Sequence, residues 1–142
     1  MRALSETTGR GFEGWSAALR AEFEAGASNG HVGQRLLSET DRVRVWEIRL
    51  APGERVPAHR HVLDYFWTAV TPGRGRQHTS DGATHEVTYA QGETRHLTFG
   101  PGEFLLHDLE NIGPTPLVFT TVEFTQGPNT PLSLTTPGGP PA

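Results

Sequence analysis

The stretch GERVPAHRHVLDYFWTAVTPG, residues 53–73, carries two histidines, His59 and His61, directly before a strongly apolar run. Successive side chains of a β-strand point to opposite faces, so histidines at i and i+2 share one face and can hold one ion between them. The run at residues 65–70 can hardly be exposed on both faces, which favours a buried pair. Two imidazoles buried side by side need hydrogen bonds or a metal. The alternative is two solvated histidines on an edge strand.

Short β-rich runs separated by turn residues extend beyond this stretch. They are RVRVWEIRL, YFWTAV, GRQHTS, THEVTY, ETRHLTF, EFLLH and PLVFTTVEF. The pair Asp81-Gly82 joins two of these runs as a hairpin turn does. With 17 Gly and 11 Pro and no helical segment between the runs, the chain predicts an all-β barrel or sandwich built as an antiparallel meander.

One amphipathic helix is predicted ahead of the strands, over residues 15–27. Trp15, Leu19 and Phe23 fall at i, i+4 and i+8 on one helical face, and Gly26 is placed to end the helix. We expect this face to pack outside the barrel or against a second subunit.

The end of the chain from Gly127 onward is rich in Pro, Gly and Thr, which predicts an extended or disordered tail. The predicted organisation is a helical arm over residues 1–31, one barrel over residues 32–125 and a tail over residues 126–142.

Composition excludes several classes of partner. The formal net charge is −4 and no run of Lys or Arg occurs, so the basic surface that nucleic acids and anionic lipids require is absent. Small molecules are therefore the expected partners. The chain has no Cys, so a metal must be held by histidine nitrogen and carboxylate oxygen. Because the sequence shows neither an apolar leader nor an apolar stretch of roughly 18 residues, we expect a cytoplasmic protein.

A third histidine is a candidate to join the pair. His107, in EFLLH, shares a strand face with Leu105 on a strand that we expect to be buried. Three neutral imidazoles that converge in an apolar barrel would leave coordination positions open for water or substrate.

Other polar residues of the predicted strands are candidates for lesser roles. His78 and His96 are interpreted as further ligands or hydrogen-bond donors near the site, although such histidines are more often solvated on the surface. Arg95 and Gln77 are candidate substrate anchors.

The order of these residues resembles that of the cupin superfamily. Its first motif, G(X)5-H-x-H-(X)3-4-E-(X)6-G, is matched by Gly53, His59, His61 and Gly73, and its second motif ends in H-(X)3-N, matched by His107 and Asn111. The resemblance covers residues 32–124. It implies a double-stranded β-helix, to which the one short N-terminal helix predicted above is added, and a divalent ion on His59, His61 and His107.

The chain departs from the motifs at two points. The residue at the position of the motif glutamate is Phe66, which we expect to point into the barrel close to the metal without coordinating it. Asp64 could replace that carboxylate only by local rearrangement and is interpreted as a turn residue. In the second motif, four residues separate Pro101-Gly102 from His107, so the strand that enters His107 is built differently.

A three-histidine site resembles that of the cupins that cleave β-diketones or oxidise thiols, which implies Fe(II), dioxygen and a small organic acid or dicarbonyl. The same ligands suit Zn, Ni or Mn in a hydrolase, lyase or isomerase, and a cupin that binds a small molecule without turnover is the third hypothesis. The stretch HRHVLDYFWTAV also resembles small bacterial cupins associated with β-alanine degradation, which implies a small amino or oxo acid.

The predicted substrate pocket joins an aromatic wall to several polar groups. Its members are Tyr65, Phe66, Trp67, Asp64, Gln77, His78 and His96. Since edge strands need covering, we also expect a homodimer that uses the segment before His31 or the last strands.

Overall fold

The computed structural model describes residues 4–134. These form ten strands and one helix: β1 (Leu4–Gly9), α1 (Ala17–Gly26), β2 (Arg35–Glu39), β3 (Val43–Leu50), β4 (Arg55–His61), β5 (Tyr65–Ala69), β6 (Gly73–His78), β7 (Thr84–Tyr89), β8 (Thr94–Leu97), β9 (Leu105–Asn111) and β10 (Leu117–Phe124). Two five-stranded sheets result, with the orders β1-β7-β6-β9-β4 and β2-β3-β10-β5-β8. The all-β prediction is confirmed. None of the described helices is long and apolar enough to cross a membrane.

The strands do not form the meander that we predicted. Among the described strands, only β2 with β3 and β6 with β7 pair as sequence neighbours, while each of the other seven connections carries the chain from one sheet to the other. This alternation lets the apolar face of each strand meet apolar side chains from the opposite sheet. The core between the sheets is formed by Ile48, Leu50, Val56, Ala69, Val87, Tyr89, Leu109, Leu117 and Phe119. A single sheet folded as a meander would leave the apolar face of its strands exposed to water.

The first strand lies within the segment that we predicted as a helical arm. β1 pairs antiparallel with β7, with Ser5 opposite Val87. Its sequence, LSETTG, has no apolar alternation, so the pattern on which the strand predictions rest is missing. Backbone pairing with the exposed edge of β7 accounts for the strand instead.

Helix α1 is confirmed and packs outside the barrel on strands β4 and β9. The Ser16 hydroxyl caps it by accepting a hydrogen bond from the Leu19 N–H at 3.0 Å. Phe23 is buried against Ala58 and Leu106, with Trp15 and Leu19 beside it. At the end of the helix, a Cβ on Gly26 would lie 2.8 Å from the Ala58 carbonyl oxygen, so only glycine permits this approach.

The described part of the tail, residues 126–134, lies against the barrel. Leu134 is buried with Val32 and Trp46, and its carbonyl oxygen lies 2.7 Å from His31 Nε2. The rest of the predicted tail, residues 135–142, lies outside the described residues.

Glu123 is a carboxyl group buried inside the barrel. It lies on β10 and accepts a hydrogen bond from the Trp46 Nε1–H at 2.8 Å. Burial disfavours the charged form and raises the pKa of Glu123 to about 7 against the opposing effects of Trp46 and Arg44. The folded protein therefore holds a proton between pH 4.5 and about 7 that the unfolded chain releases, so this group lowers the free energy of unfolding as the pH rises through that window.

We predict that Glu123→Gln stabilises the metal-free protein at pH 8 by roughly 3 kcal/mol and has little effect at pH 4. The amide keeps an acceptor for Trp46 and removes the charge that burial penalises. Urea unfolding at both pH values measures the difference. The exposed Glu24→Gln is the matched control and should change neither value by more than about 0.5 kcal/mol. A stabilisation equal at pH 4 and pH 8 would contradict the burial argument.

Candidate metal centre

Three histidines meet on the inner face of one sheet. Strands β4 and β9 pair antiparallel with His59 directly opposite His107, and His61 follows two residues after His59 on the same face. The ring centroids lie 4.8 to 5.1 Å apart, and one nitrogen from each ring lies within 4.8 Å of the others. The predicted convergence of His59, His61 and His107 is confirmed.

A bulge in β4 sets the direction of these side chains. Val56 pairs with Leu109 and His59 with His107, so three residues on β4 span two on β9. Val56 and His59 therefore both face inward although they lie an odd number of residues apart. The extra residue leaves Ala58 on the outer face, against helix α1.

Hydrogen bonds fix the orientation of two of the rings. The Pro57 carbonyl oxygen lies 2.8 Å from His59 Nδ1, and Gln77 Oε1 lies 2.8 Å from His107 Nδ1. Both oxygens can only accept, so each Nδ1 carries the proton and each Nε2 presents its lone pair. Such partners of the non-ligating nitrogen are the usual support of metal-binding histidines.

The spacing of the His61 and His107 nitrogens fits a shared ion. His61 Nε2 lies 3.2 Å from His107 Nε2. Two nitrogens bonded to one ion at about 2.1 Å lie about 3.0 to 3.4 Å apart in octahedral or tetrahedral geometry. His61 Nδ1 is buried with no hydrogen-bond partner among the described residues, and its ring stacks on Tyr65 with centroids 4.0 Å apart.

Burial keeps the three rings neutral. It lowers the pKa of His59 to about 4 and lowers the pKa values of His61 and His107 well below the ordinary range for histidine. A neutral imidazole has a lone pair for a metal and no proton to displace at neutral pH. The donor set therefore fits a divalent transition-metal ion.

The motif glutamate has no counterpart at the centre. Tyr65 takes the inward position after the turn, so Phe66 points outward, where its ring lies 5.2 Å from His96 and 6.1 Å from Phe124. The expectation that Phe66 points into the barrel is wrong. Asp64 is a turn residue, as interpreted, and accepts a hydrogen bond from the Phe99 N–H at 2.8 Å.

A cavity of about 190 Å³ opens beside the three histidines. Trp67, Tyr89 and Phe119 stand edge-on to one another along its wall. The other lining residues are Ser5, Val32, Ile48, Tyr65, Gln77, Val87, Arg95, Leu97, Leu105, Leu109 and Thr121. The volume slightly exceeds the roughly 150 Å³ that accommodates benzene, so the cavity suits a small organic molecule.

The structure brings only part of the predicted pocket to this cavity. Tyr65, Trp67 and Gln77 line it, whereas Phe66, Asp64, His78 and His96 do not. Sequence reasoning missed Tyr89, Phe119 and Thr121. The alternation of side chains within two predicted strands could have placed them on the inner face. Tyr89 lies two residues after Val87, and Thr121 lies two residues after Phe119, so each pair shares a face.

His78 belongs to a charged network behind the metal centre. Asp108, next to His107, is buried and accepts hydrogen bonds from the His78 N–H at 2.6 Å and from Arg55 at 2.6 Å. Arg55 also donates two bonds to Glu22 of helix α1, at 2.7 and 2.8 Å, and these bonds lower the pKa of Glu22. The network ties the helix to β4, β6 and β9.

The two motif regions also meet through the backbone. The Gly53 N–H donates to the Asn111 carbonyl at 2.9 Å, and Gly53 adopts a left-handed φ of 86°. The Asn111 side chain is buried, and its amide nitrogen donates to the carbonyl oxygens of Leu50 and Thr115. These residues hold the strand ends and do not line the cavity.

Comparisons with solved structures identify the fold. A cupin domain from Bordetella pertussis Tohama I superposes with a TM-score of 0.56 at 27% identity, over 63% of this chain and 88% of that one. A cupin-family protein with a double-stranded β-helix fold from Methanocaldococcus jannaschii gives a TM-score of 0.51 at 22% identity, over 63% and 76%. No protein-family model and no curated protein matches the sequence. The fold is the cupin double-stranded β-helix, with a three-histidine candidate metal site.

We predict that His59→Ala and His107→Ala each lose stoichiometric metal, because two imidazoles hold a divalent ion far more weakly than three. Metal analysis of protein purified without a His-tag and dialysed against metal-free buffer measures this loss. The exposed His96 faces away from the cavity, so His96→Ala is the matched control and should retain about one equivalent. Retention of one equivalent by His59→Ala would require a different site.

Proposed function

We propose that the chain is a metal-dependent enzyme that uses Fe(II) and dioxygen to oxidise or cleave a small chelating organic acid or dicarbonyl. The observation that carries this proposal is the set of three neutral imidazoles, two buried and one half-buried, at one side of a largely apolar cavity, with no carboxylate among the described residues of the cluster. The resemblance to β-alanine-associated cupins adds small amino and oxo acids to the candidate substrates.

A divalent ion held by neutral ligands alone keeps its full charge, and Fe(II) in this position would supply a Lewis acid and a redox partner for dioxygen. A chelating anion or enolate suits such a centre better than a neutral molecule does. Dioxygen is the oxidant in the proposed reaction, and the organic acid is the reductant.

The protein's own residues have separate tasks in this proposal. Gln77 holds His107 in the tautomer whose Nε2 faces the centre. Trp67, Tyr89 and Phe119 form the aromatic wall that keeps bulk water from the reacting atoms. Tyr65 stacks on His61 and so supports the third imidazole ring.

Zinc is the serious rival, since an all-nitrogen site binds Zn²⁺ more tightly than Fe²⁺. Nickel and manganese share the Lewis-acid alternative, in which the protein is a hydrolase, lyase or isomerase. A cupin that binds its ligand without turnover is the remaining alternative.

We predict that only the iron form of the protein consumes oxygen. The metal-free protein is reconstituted anaerobically with Fe(II) or with Zn(II) and then exposed in air to a panel of β-dicarbonyls, β-amino acids and oxo acids. Oxygen uptake with at least one chelating acid, together with stoichiometric product, is the expected result for the iron form. Turnover by the zinc form, with no oxygen uptake by the iron form, would replace the oxygenase with a Lewis-acid enzyme.

A further inference from the structure

Arg95 lies on the wall of the cavity close to the metal centre. On β8 it pairs directly with Trp67 of β5, and Leu97 pairs in the same way with Tyr65. Tyr65 stacks on His61, and Trp67 lies two residues further along the strand, about 7 Å away. Arg95 and the histidines thus line one cavity.

The charge of Arg95 is not paired directly with a carboxylate, although the buried Glu93 acts on the same Tyr89 side chain. Its guanidinium makes no ion pair or hydrogen bond with any residue between 4 and 134, whereas Arg44, Arg55 and Arg76 each pair with a carboxylate. No Asp or Glu lines the cavity in this part of the chain. Arg95 is the one Arg, Lys, Asp or Glu among the described lining residues.

We propose that Arg95 binds a carboxylate of the substrate, at the end of the molecule opposite its metal-chelating group. This inference deepens the proposed function and rests on the metal site that it assigns. A guanidinium forms two parallel hydrogen bonds with a carboxylate, which makes Arg the usual partner for that group. The substrate class is therefore a short acid with a chelating dicarbonyl, enolate or similar pair of oxygens at one end and a carboxylate at the other.

The charges and dimensions of the cavity agree with this class. A divalent ion and Arg95 together would bring three positive charges to a cavity whose described lining holds no Asp or Glu, so a dianion suits the site better than a monoanion. The volume of about 190 Å³ suits a short acid. Because Arg95 is exposed while it lines the cavity, it can meet the acid at the entrance.

The test uses two probes that differ at the proposed contact. Succinylacetone is a β-diketone with a terminal carboxylate, and heptane-2,4-dione has a carbon chain of the same length in which a methyl group replaces the carboxylate. Both are titrated into the zinc-loaded protein by calorimetry, so that no oxidation follows binding. We expect the wild type to bind succinylacetone about tenfold more tightly than the dione, which is the affinity ratio of one charge-assisted hydrogen-bonded pair.

In Arg95→Met the preference should fall to about one while the affinity for heptane-2,4-dione stays the same, and Arg95→Lys should keep part of the preference. Arg35→Met, at an exposed arginine that does not line the cavity, is the control and should keep the full preference. The exposed Arg95 has no partner to lose, and the binding of the dione reports that each variant is folded.

Equal affinity of the wild type for the two probes, lack of binding by succinylacetone, or an unchanged preference in Arg95→Met would each overturn the assignment. The zinc form is used throughout, so the result does not depend on oxygen chemistry. If the preference holds but the iron form consumes no oxygen, the carboxylate site stands and the oxygenase proposal fails.

Discussion

The pairing of β4 with β9 is the constraint on which the metal centre depends, because it places His59 opposite His107. A slip of one residue would turn one of these side chains to the outer face of the sheet. The bulge at residues 57–58 is equally necessary, since without it the inward position of Val56 would turn His59 outward. Contacts on the outer surface of the barrel stabilise this bulge.

Helix α1 stabilises the bulge from outside. The Ala58 N–H, which the disrupted ladder leaves without a strand partner, donates to the Glu22 carboxylate at 3.0 Å. Gly26 lets the helix approach Ala58 closely, and Phe23 packs against Ala58 and Leu106. Arg55 and Asp108 extend the contact to the strand that carries His107. The helix thus supports the backbone directly behind two of the three ligands, and so contributes to the geometry of a site that it does not touch.

Much of the fold and the centre of the site were predictable from the sequence, and the errors have a common origin. The seven predicted runs are strands. The shared face of His59 and His61 could be predicted because the two-residue alternation of side chains along a strand is a local property. Phe66 was misplaced because the length of the turn after His61 decides which residue of the next strand faces inward. That length depends on how β5 pairs with β10, which one sequence does not reveal. The outward direction of His78 likewise depends on its contact with Asp108, thirty residues away along the chain.

The most direct test of the account is X-ray absorption spectroscopy of the protein loaded with one equivalent of Fe(II) or Zn(II). Outer-shell scattering counts bound imidazoles, and the first shell reports the metal–ligand distances. Three imidazoles at about 2.0–2.2 Å are expected, with the remaining ligands light oxygen atoms from solvent. Fewer than three imidazoles would contradict the convergence of His59, His61 and His107 on one ion.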